Sequence, residues 1–277
     1  MPFDLSPLLP HVPAWLMVLF RLTGIFVLAP VLGSSTVPRL VKVMLVAALS
    51  LAVYPVLHDP ARPSAAVMQG FMSEGGGIDL WAMAPMVGFE LLVGFAIGLC
   101  ASLPLVGMQM GGHLIEQQMG LGFANIVNPE LNASSGVLSQ FYFLMALSIF
   151  LIVGGHEAVF AILMGSFDAV PPGGPMDFDG LLVMVVGMFQ VMFEVAFRIA
   201  APLLCLIFAE TLAMGFIART LPQMNILSIG FIVRILVGLV FLVTTLSAAA
   251  GVFEEVMVDT LRRLMGFFGG WGLGTRG

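Results

Sequence analysis

The sequence predicts an all-helical protein that crosses a membrane several times, with a non-helical loop between its third and fourth hydrophobic segments. Of the 277 residues, 60% are hydrophobic and only 9% are charged, and the mean hydropathy is +1.08. Soluble domains contain roughly 45–50% apolar and about 25% charged residues. No stretch is polar enough to fold in water by itself, so we expect a single membrane domain over residues 1–277.

Six apolar runs approach or exceed the length of about 20 residues that a helix needs to span a bilayer. The fifth run would measure roughly 55 Å as one helix at 1.5 Å per residue. It must therefore tilt, break near Pro202 or extend beyond the bilayer. The count of six also leaves room for a seventh helix. The runs are Val12–Leu32, Leu40–Leu57, Leu80–Met108, Phe141–Met164, Leu181–Ile217 and Ile226–Val252.

Short connections separate these runs, and "DAVPPGGPMDFDG" carries three prolines among glycines, which no helix accepts. The N-terminus has no basic region and carries Asp4, so we expect the first run to remain as an anchor. Basic residues give no consistent orientation. Arg39 and Lys42 favour a cytoplasmic first loop, whereas Arg62 falls on the opposite side.

Composition and motifs argue against several classes of function. The net charge of −6 and a pI near 5.1 argue against a nucleic-acid partner. No phosphate-binding GxxxxGK[ST] or GxSxG nucleophile motif occurs. His156–Glu157 begins like the zinc motif HExxH, but Phe160 occupies the second histidine position. We therefore expect no enzyme, cofactor or metal site, and we expect Cys100 and Cys205 to be buried hydrophobic residues.

Ionisable residues lie within nearly every apolar run. They are costly in hydrocarbon and normally face protein or water, so we expect most helices to have a side that faces protein or a cavity. Glu194 and Arg198 are four residues apart and can neutralise each other on one helical face. The full set is Arg21, Glu90, His156, Glu157, Glu194, Arg198, Glu210 and Arg234.

Two GxxxG spacings occur near the end of the third run, Gly94/Gly98 and Gly107/Gly111. Small residues at this spacing let helix backbones approach closely. In a chain with 32 glycines the spacing is also common by chance, so it predicts close packing only weakly.

The stretch "HLIEQQMGLGFANIVNPELN", His113–Asn132, interrupts the apolar pattern. Gly120 and Gly122 reduce helix stiffness, and several amide side chains can satisfy freed backbone groups. Non-helical backbone at membrane depth is tolerated only when it is buried in protein or lines a water-filled cavity. The residues alone leave two interpretations open, a plain surface loop and a re-entrant or pore-occluding segment. Its apolar residues are Met119, Leu121, Phe123 and Ile126.

At these residues the chain resembles the FliR family of flagellar export-gate proteins, whose injectisome relatives are called SctT. Gln118-Met119-Gly120 favours the flagellar branch, because the injectisome relatives more often have Asn-Gln-Arg-Gly there. One departure is Ile232, which stands where the family commonly has proline, with Arg234 close behind. Four ordered pieces carry the resemblance: "RLTGIFVLAPVLGSSTVPRLVKV", "QQMGLGFANIVNPELN", "FLIVGGHEAVFAIL" and "LPQMNILSIGF".

The resemblance implies a function and partners. FliR-like proteins form an export gate with FliP- and FliQ-like subunits, in the flagellar basal body of the bacterial inner membrane, beside FlhB- and FlhA-like proteins. Unfolded flagellar proteins pass through its centre, and a FliR loop helps to plug that passage. The loop corresponds here to Gln117, Gln118, Met119, Gly120, Leu121, Gly122, Phe123, Ala124, Asn125 and Ile126. We expect helix or partner packing for Arg21, Pro38, Glu90, His156, Glu194, Arg198, Pro222, Asn225 and Arg234.

Two other classes of function are weighed against the export gate. A small-solute secondary transporter would use Glu90, Glu194 and Arg198 as a midplane site, and it predicts inverted repeats that the sequence does not show. An intramembrane enzyme lacks any nucleophile–base constellation. An injectisome export-gate subunit is the alternative within the family.

Overall fold

The computed structural model of the protein describes residues 11–34, 37–57, 80–121, 136–173, 178–220, 223 and 226–268. Within these residues the chain forms seven α-helices and no β-strand. The all-helical fold class predicted from the sequence is therefore confirmed. The helices are α1 (Val12–Leu28), α2 (Arg39–Leu57), α3 (Leu80–Met119), α4 (Val137–Ile152), α5 (Gly155–Ala169), α6 (Phe178–Thr220) and α7 (Ile226–Phe267).

Four of the described helices are long and apolar enough to cross a membrane: α2, α3, α6 and α7. Their most apolar windows have mean hydropathies from 2.1 to 2.5. The bent pair of α4 and α5 adds a fifth span if it is counted as one. Helix α1 is apolar but has only 17 residues, which gives about 25 Å against a hydrocarbon core of roughly 30 Å.

The fourth predicted run, Phe141–Met164, is two helices rather than one. Helices α4 and α5 meet at a bend of 65°. Gly154, between them, has φ +76°, in the left-handed region. A side chain makes that conformation costly, so a glycine is needed at this bend.

Helices α6 and α7 are longer than the runs that predicted them. Helix α6 continues through Pro202 for 43 residues, about 65 Å at 1.5 Å per residue. Of the alternatives for this segment, a break near Pro202 is therefore wrong. Helix α7 passes Val252 and ends at Phe267. Asp259 and Arg263 form an i,i+4 pair of 2.7 Å there, which supports the polar extension.

The chain divides into two compact units, of which the first comprises residues 1–102, 154–187 and 259–277. In it α1 packs on α2, with Trp15 Nε1 donating to Ser50 Oγ at 3.1 Å. Helix α1 also lies close against α3. A Cβ built on Gly98 would lie 3.0 Å from the carbonyl oxygen of Ile25, and one on Gly94 would overlap the carbonyl of Arg21.

The second unit comprises residues 103–153 and 188–258. Helix α3 approaches α6 at the other glycine pair, since a Cβ on Gly111 would lie 3.1 Å from the carbonyl oxygen of Ala196. It approaches α4 at Gly112, whose Cβ would lie 2.9 Å from the Tyr142 ring. Both GxxxG spacings thus lie where helix backbones meet. The single membrane domain expected over residues 1–277 stays a prediction.

The close approach at Gly94 predicts a stability difference between two glycines of the same helix. Gly94→Ala should lower the free energy of unfolding by about 1–3 kcal/mol, because the added methyl group has no space. Gly88→Ala should be neutral or slightly stabilising, because a Cβ at Gly88 meets no atom within 4 Å. Thermal unfolding of the purified full chain in detergent measures both variants, and equal effects would contradict the packing described.

Candidate functional site

The stretch His113–Asn132 begins as helix. His113 to Met119 form the last turns of α3, so α3 extends well past the expected end at Met108. Gly120 follows with φ +78°. Its N–H donates to the carbonyl of Gln117 at 3.1 Å, and the Leu121 N–H donates to that of Glu116 at 3.2 Å. This pair of bonds is the Schellman motif, which satisfies the last carbonyls of a helix.

The predicted plug residues therefore divide into three groups. Gln117, Gln118 and Met119 lie in helix rather than in loop, because no glycine or proline interrupts α3 after Gly112. Gly120 and Leu121 form the turn that ends the helix. The remaining predicted residues, Gly122, Phe123, Ala124, Asn125 and Ile126, lie outside the residues that the structure describes.

Helix α7 packs against one side of this helix end. Met119 is fully buried, and a Cβ built on Gly238 of α7 would lie 2.7 Å from its Cε atom. A Cβ on Gly120 would lie 3.1 Å from the Phe231 ring, also in α7. The opposite side of α3 is polar, since Gln117 is exposed and bonds to His113 at 2.9 Å. The helix end thus presents amides on one side and is packed on the other.

Glu116 joins the end of α3 to the start of α4. Its side chain is buried, and its Oε2 atom accepts a bond from the Ser139 backbone N–H at 3.4 Å. The N-terminal residue that flanks α4 is Gly136, which has no side chain to cap the helix. The Glu116 carboxylate fills the space where a Cβ of Gly136 would lie. It therefore serves as the cap of α4 and lies at the positive end of the helix dipole.

Sequence reasoning missed this role of Glu116. The one signal for it was a glycine, rather than a serine or aspartate, at the start of a helix. Such a helix start has no side-chain acceptor of its own for its first N–H groups. A buried carboxylate on a neighbouring helix supplies one here.

A second polar cluster surrounds Arg21, which is fully buried in α1. Its Nε atom donates to Glu90 Oε2 of α3 at 2.6 Å. Nη1 donates to Ser166 Oγ of α5 at 3.2 Å, and Nη2 donates to the Val170 carbonyl at 2.9 Å. The guanidinium also lies 4.2 Å from the centre of the Phe167 ring. One side chain thereby links three helices of the first unit.

The second oxygen of Glu90 is also bonded. Glu90 Oε1 accepts the backbone N–H of Gly173, in the turn after α5, at 3.3 Å. Both oxygens of this buried carboxylate thus have donors within the chain. A buried ion pair is tolerable only when its remaining donors and acceptors are satisfied in this way.

The other predicted packing residues are distributed over several helices. Pro38 precedes α2, and its carbonyl accepts the Lys42 N–H at 3.2 Å. His156 is exposed at the start of α5, 4.0 Å from Glu157. Glu194 and Arg198 form the predicted i,i+4 pair at 2.9 Å, with both side chains about half exposed. Pro222 and Asn225 lie outside the described residues.

Arg234 pairs with Glu210 of α6 at 3.3 Å. Helix α7 runs without a break through Ile232, where proline was expected from the resemblance. Proline in a helix interior removes a backbone hydrogen bond, and isoleucine at this position retains it. Cys100 is buried as predicted, but Cys205 is exposed on α6. The described residues contain no group of three potential metal ligands among His, Cys, Asp and Glu.

Comparison with known proteins identifies the family. The family described as "Bacterial export proteins, family 1" matches residues 12–260. The chain belongs to this family. It is 29% identical over 267 residues to the flagellar biosynthetic protein FliR of Bacillus subtilis, which covers 93% of this chain and 96% of that protein. The resemblance to the FliR family that the four motifs indicated is confirmed.

Two further relatives show the breadth of the family. The flagellar biosynthetic protein FliR of Escherichia coli is 27% identical over 247 residues, covering 89% of each chain. The secretion system apparatus protein SsaT of Salmonella typhimurium is 28% identical over 139 residues. That match covers 50% of this chain and 53% of SsaT. The flagellar relatives thus match over more of the chain than SsaT does.

Loss of the buried Arg21–Glu90 ion pair should lower the free energy of unfolding much more than loss of an exposed ion pair. Arg21→Gln should lower the free energy of unfolding by roughly 3–5 kcal/mol, because Glu90 is left buried without its cation. Arg263→Gln is the matched control, since its 2.7 Å pair with Asp259 is exposed, and it should cost less than about 1 kcal/mol. Thermal unfolding of the purified full chain tests this, and similar losses for both would contradict the role given to burial.

The cap supplied by Glu116 predicts a defect in α4. Glu116→Ala should destabilise the protein by about 1–2 kcal/mol, because α4 loses its only side-chain acceptor among the described residues. Glu157→Ala, which removes an exposed carboxylate from the first turn of α5, is the control and should have little effect. Hydrogen exchange of the first amides of α4 gives the direct measurement. Unchanged exchange in Glu116→Ala would overturn the assignment.

Proposed function

We propose that this chain is a channel-forming subunit of a flagellar protein export gate in the bacterial inner membrane. The observation that carries the proposal is the family match over residues 12–260, together with flagellar FliR relatives that align over nearly the whole chain. At the coarser level, the chain is a membrane protein of the flagellar export apparatus. The finer role is to help conduct unfolded flagellar proteins across the membrane and to close the passage at rest.

The exposed surfaces of the helices support assembly with other membrane proteins. Only 17% of the most apolar window of α2 and 11% of that of α7 are buried within this chain. Lipid alone could cover such surfaces. However, the half-exposed Glu194–Arg198 pair lies in the apolar helix α6, where contact with hydrocarbon is costly. We therefore expect the side of α6 that carries this pair to face protein or water, with FliP- and FliQ-like subunits and FlhB- and FlhA-like proteins as partners.

The end of α3 supports the proposed plug. We propose that Gln117–Ile126 closes the passage, with Leu121, Phe123 and Ile126 as a seal against ions. Met119, the fourth apolar side chain of the segment, is buried against α7 and anchors it. A hydrophobic constriction can stop ion flow by losing its water. Met119 and Gly120 pack on α7, and Glu116 ties the helix end to α4. These contacts hold the C-terminal end of α3 in place. A plug that begins at a fixed helix end can return to the same position each time the passage closes.

The transporter alternative gains no support from the geometry. Glu90 uses both carboxylate oxygens within the chain, on Arg21 and on the Gly173 N–H. Glu194 is occupied by Arg198. Acidic groups that bind a solute or carry a coupled proton need access to it, and the Glu90 side chain is only 3% exposed.

Loss of the gene tests the proposed function. In the bacterium that carries it, a deletion strain should assemble no flagella and should not swim, and the restored chain should recover both. The tagged chain should co-purify with FliP- and FliQ-like proteins in one large complex. A deletion strain that swims normally, or a chain that purifies alone, would contradict the export-gate role.

Replacement of the plug segment tests the mechanism separately. Changing residues 122–126 to Gly-Ser-Gly-Ser-Gly leaves α3 intact and removes the aromatic and branched side chains of the seal. Ion leakage in cells with the complete gate should rise severalfold, because a polar flexible segment cannot dewet the passage. The same kind of replacement at residues 174–177 is the control. Unchanged ion leakage together with unchanged export would contradict the proposed plug.

A further inference from the structure

An apolar groove lies between α6 and α7 in the second unit. It has a volume of about 370 Å³ and is open along one side. Ligand pockets have volumes of roughly 300–1,000 Å³, so the groove is large enough to hold a small ligand. Five of its six lining side chains are hydrocarbon; the lining comprises Leu206, Leu236, Val237, Val240, Phe241 and Thr244.

A polar cluster lies at one end of this groove. Arg234 Nε donates to Glu210 Oε2 at 3.3 Å, and Arg234 Nη2 donates to Thr211 Oγ1 at 2.9 Å. The Glu210 side chain is only 8% exposed, whereas that of Arg234 is 32% exposed. The positive partner therefore faces outward and the carboxylate lies behind it. These two bonds use a minority of the five guanidinium donors.

The helix spacing places the cluster and the groove on the same faces. Glu210 lies one turn beyond Leu206 in α6, and Arg234 lies one turn before Val237 in α7. Both charged residues are closer in sequence to the α6–α7 connection than any residue that lines the groove. The site thus has a polar end toward the connection and an apolar end toward the middle of both helices.

We propose that this groove holds one acyl chain of a membrane phospholipid, and that the phosphate of that lipid accepts hydrogen bonds from the remaining N–H donors of Arg234. The site is charged at one end and apolar at the other, as a phospholipid is charged at its headgroup and apolar along its acyl chains. An arginine inside an apolar helix extends toward the membrane interface, where phosphates lie. Guanidinium–phosphate hydrogen bonds are charge-assisted and strong. Glu210 is a positioning residue that holds the guanidinium in place.

The dimensions favour a lipid chain over a partner helix. The groove runs about 12 Å along α7 from Leu236 to Thr244, so its mean cross-section is roughly 30 Å², too narrow for a helix about 10 Å across, whose cross-section is about 80 Å². An acyl chain is a narrow rod that fits along α7. The lining residues Leu236 and Val240 are 59% and 67% exposed, so the groove opens outward along an apolar helix that a membrane would surround. This inference concerns lipid binding and is independent of the export function.

Photolabelling of the full chain, with its membrane partners retained, tests the proposal. The probe is a phosphatidylglycerol that carries a diazirine in one acyl chain, in vesicles of phosphatidylcholine. Labelling of the wild type should concentrate on the α6–α7 groove. Arg234→Gln should reduce it about tenfold, as expected for the loss of charge-assisted hydrogen bonds to the phosphate. Val240→Trp, which fills the groove and keeps the arginine, should reduce it as strongly.

Two controls keep the test decisive. Arg263→Gln removes another arginine of α7 that pairs with an acid, and groove labelling should be unchanged. The double variant Glu210→Gln/Arg234→Gln avoids an uncompensated buried carboxylate and should still lose labelling. Labelling spread evenly along α7, or unaffected by Arg234→Gln and Val240→Trp, would overturn the proposal. A zero-length cross-link from Val240→Cys to a second polypeptide would also overturn it, in favour of a protein occupant.

Discussion

The buried pair of Arg21 and Glu90 is the interaction on which the first unit depends. An apolar chain gains little specificity from hydrocarbon contacts alone, because the surrounding lipid is just as apolar. A fully buried guanidinium tolerates only one arrangement of neighbours, in which its donors and its counter-ion are all satisfied. Its bonds to α3, to α5 and to the turn after α5 therefore define the relative positions of these helices.

Glycines complement this polar constraint along α3. Gly94 and Gly98 allow the backbone of α1 to approach in the first unit, and Gly107 and Gly111 do the same for α6 in the second. Close backbone packing and a few satisfied polar groups hold membrane helices together without a hydrophobic driving force between them. The C-terminal end of α3 combines the same two features, a glycine in close contact and a satisfied buried polar group. Gly120 packs against Phe231, and Glu116 caps α4.

Local patterns in the sequence predicted the helices and the ion pairs within one helix. Apolar runs of about 20 residues predicted helices, because a helix satisfies its backbone groups within the segment. The Glu194–Arg198 pair followed from a four-residue spacing on one helix. By contrast, Arg21 and Glu90 are 69 positions apart, and Glu116 and Ser139 are 23 apart. No periodicity connects residues on different helices, so their pairing and the cap of α4 could not be predicted. The bend at Gly154 was not predicted either, because the run Phe141–Met164 was interpreted as one helix although Gly154-Gly155 and His156-Glu157 interrupt it.

In the proposed gate, the end of α3 borders the path of an exported protein. The most direct measurement places a photo-crosslinking amino acid at Leu121 while an export substrate is arrested in the gate. The same amino acid at Ile152, which is 83% exposed at the bend between α4 and α5, serves as the comparison. We predict a cross-link to the substrate from Leu121 and none from Ile152. Equal cross-linking at both positions, or none at Leu121, would contradict the account.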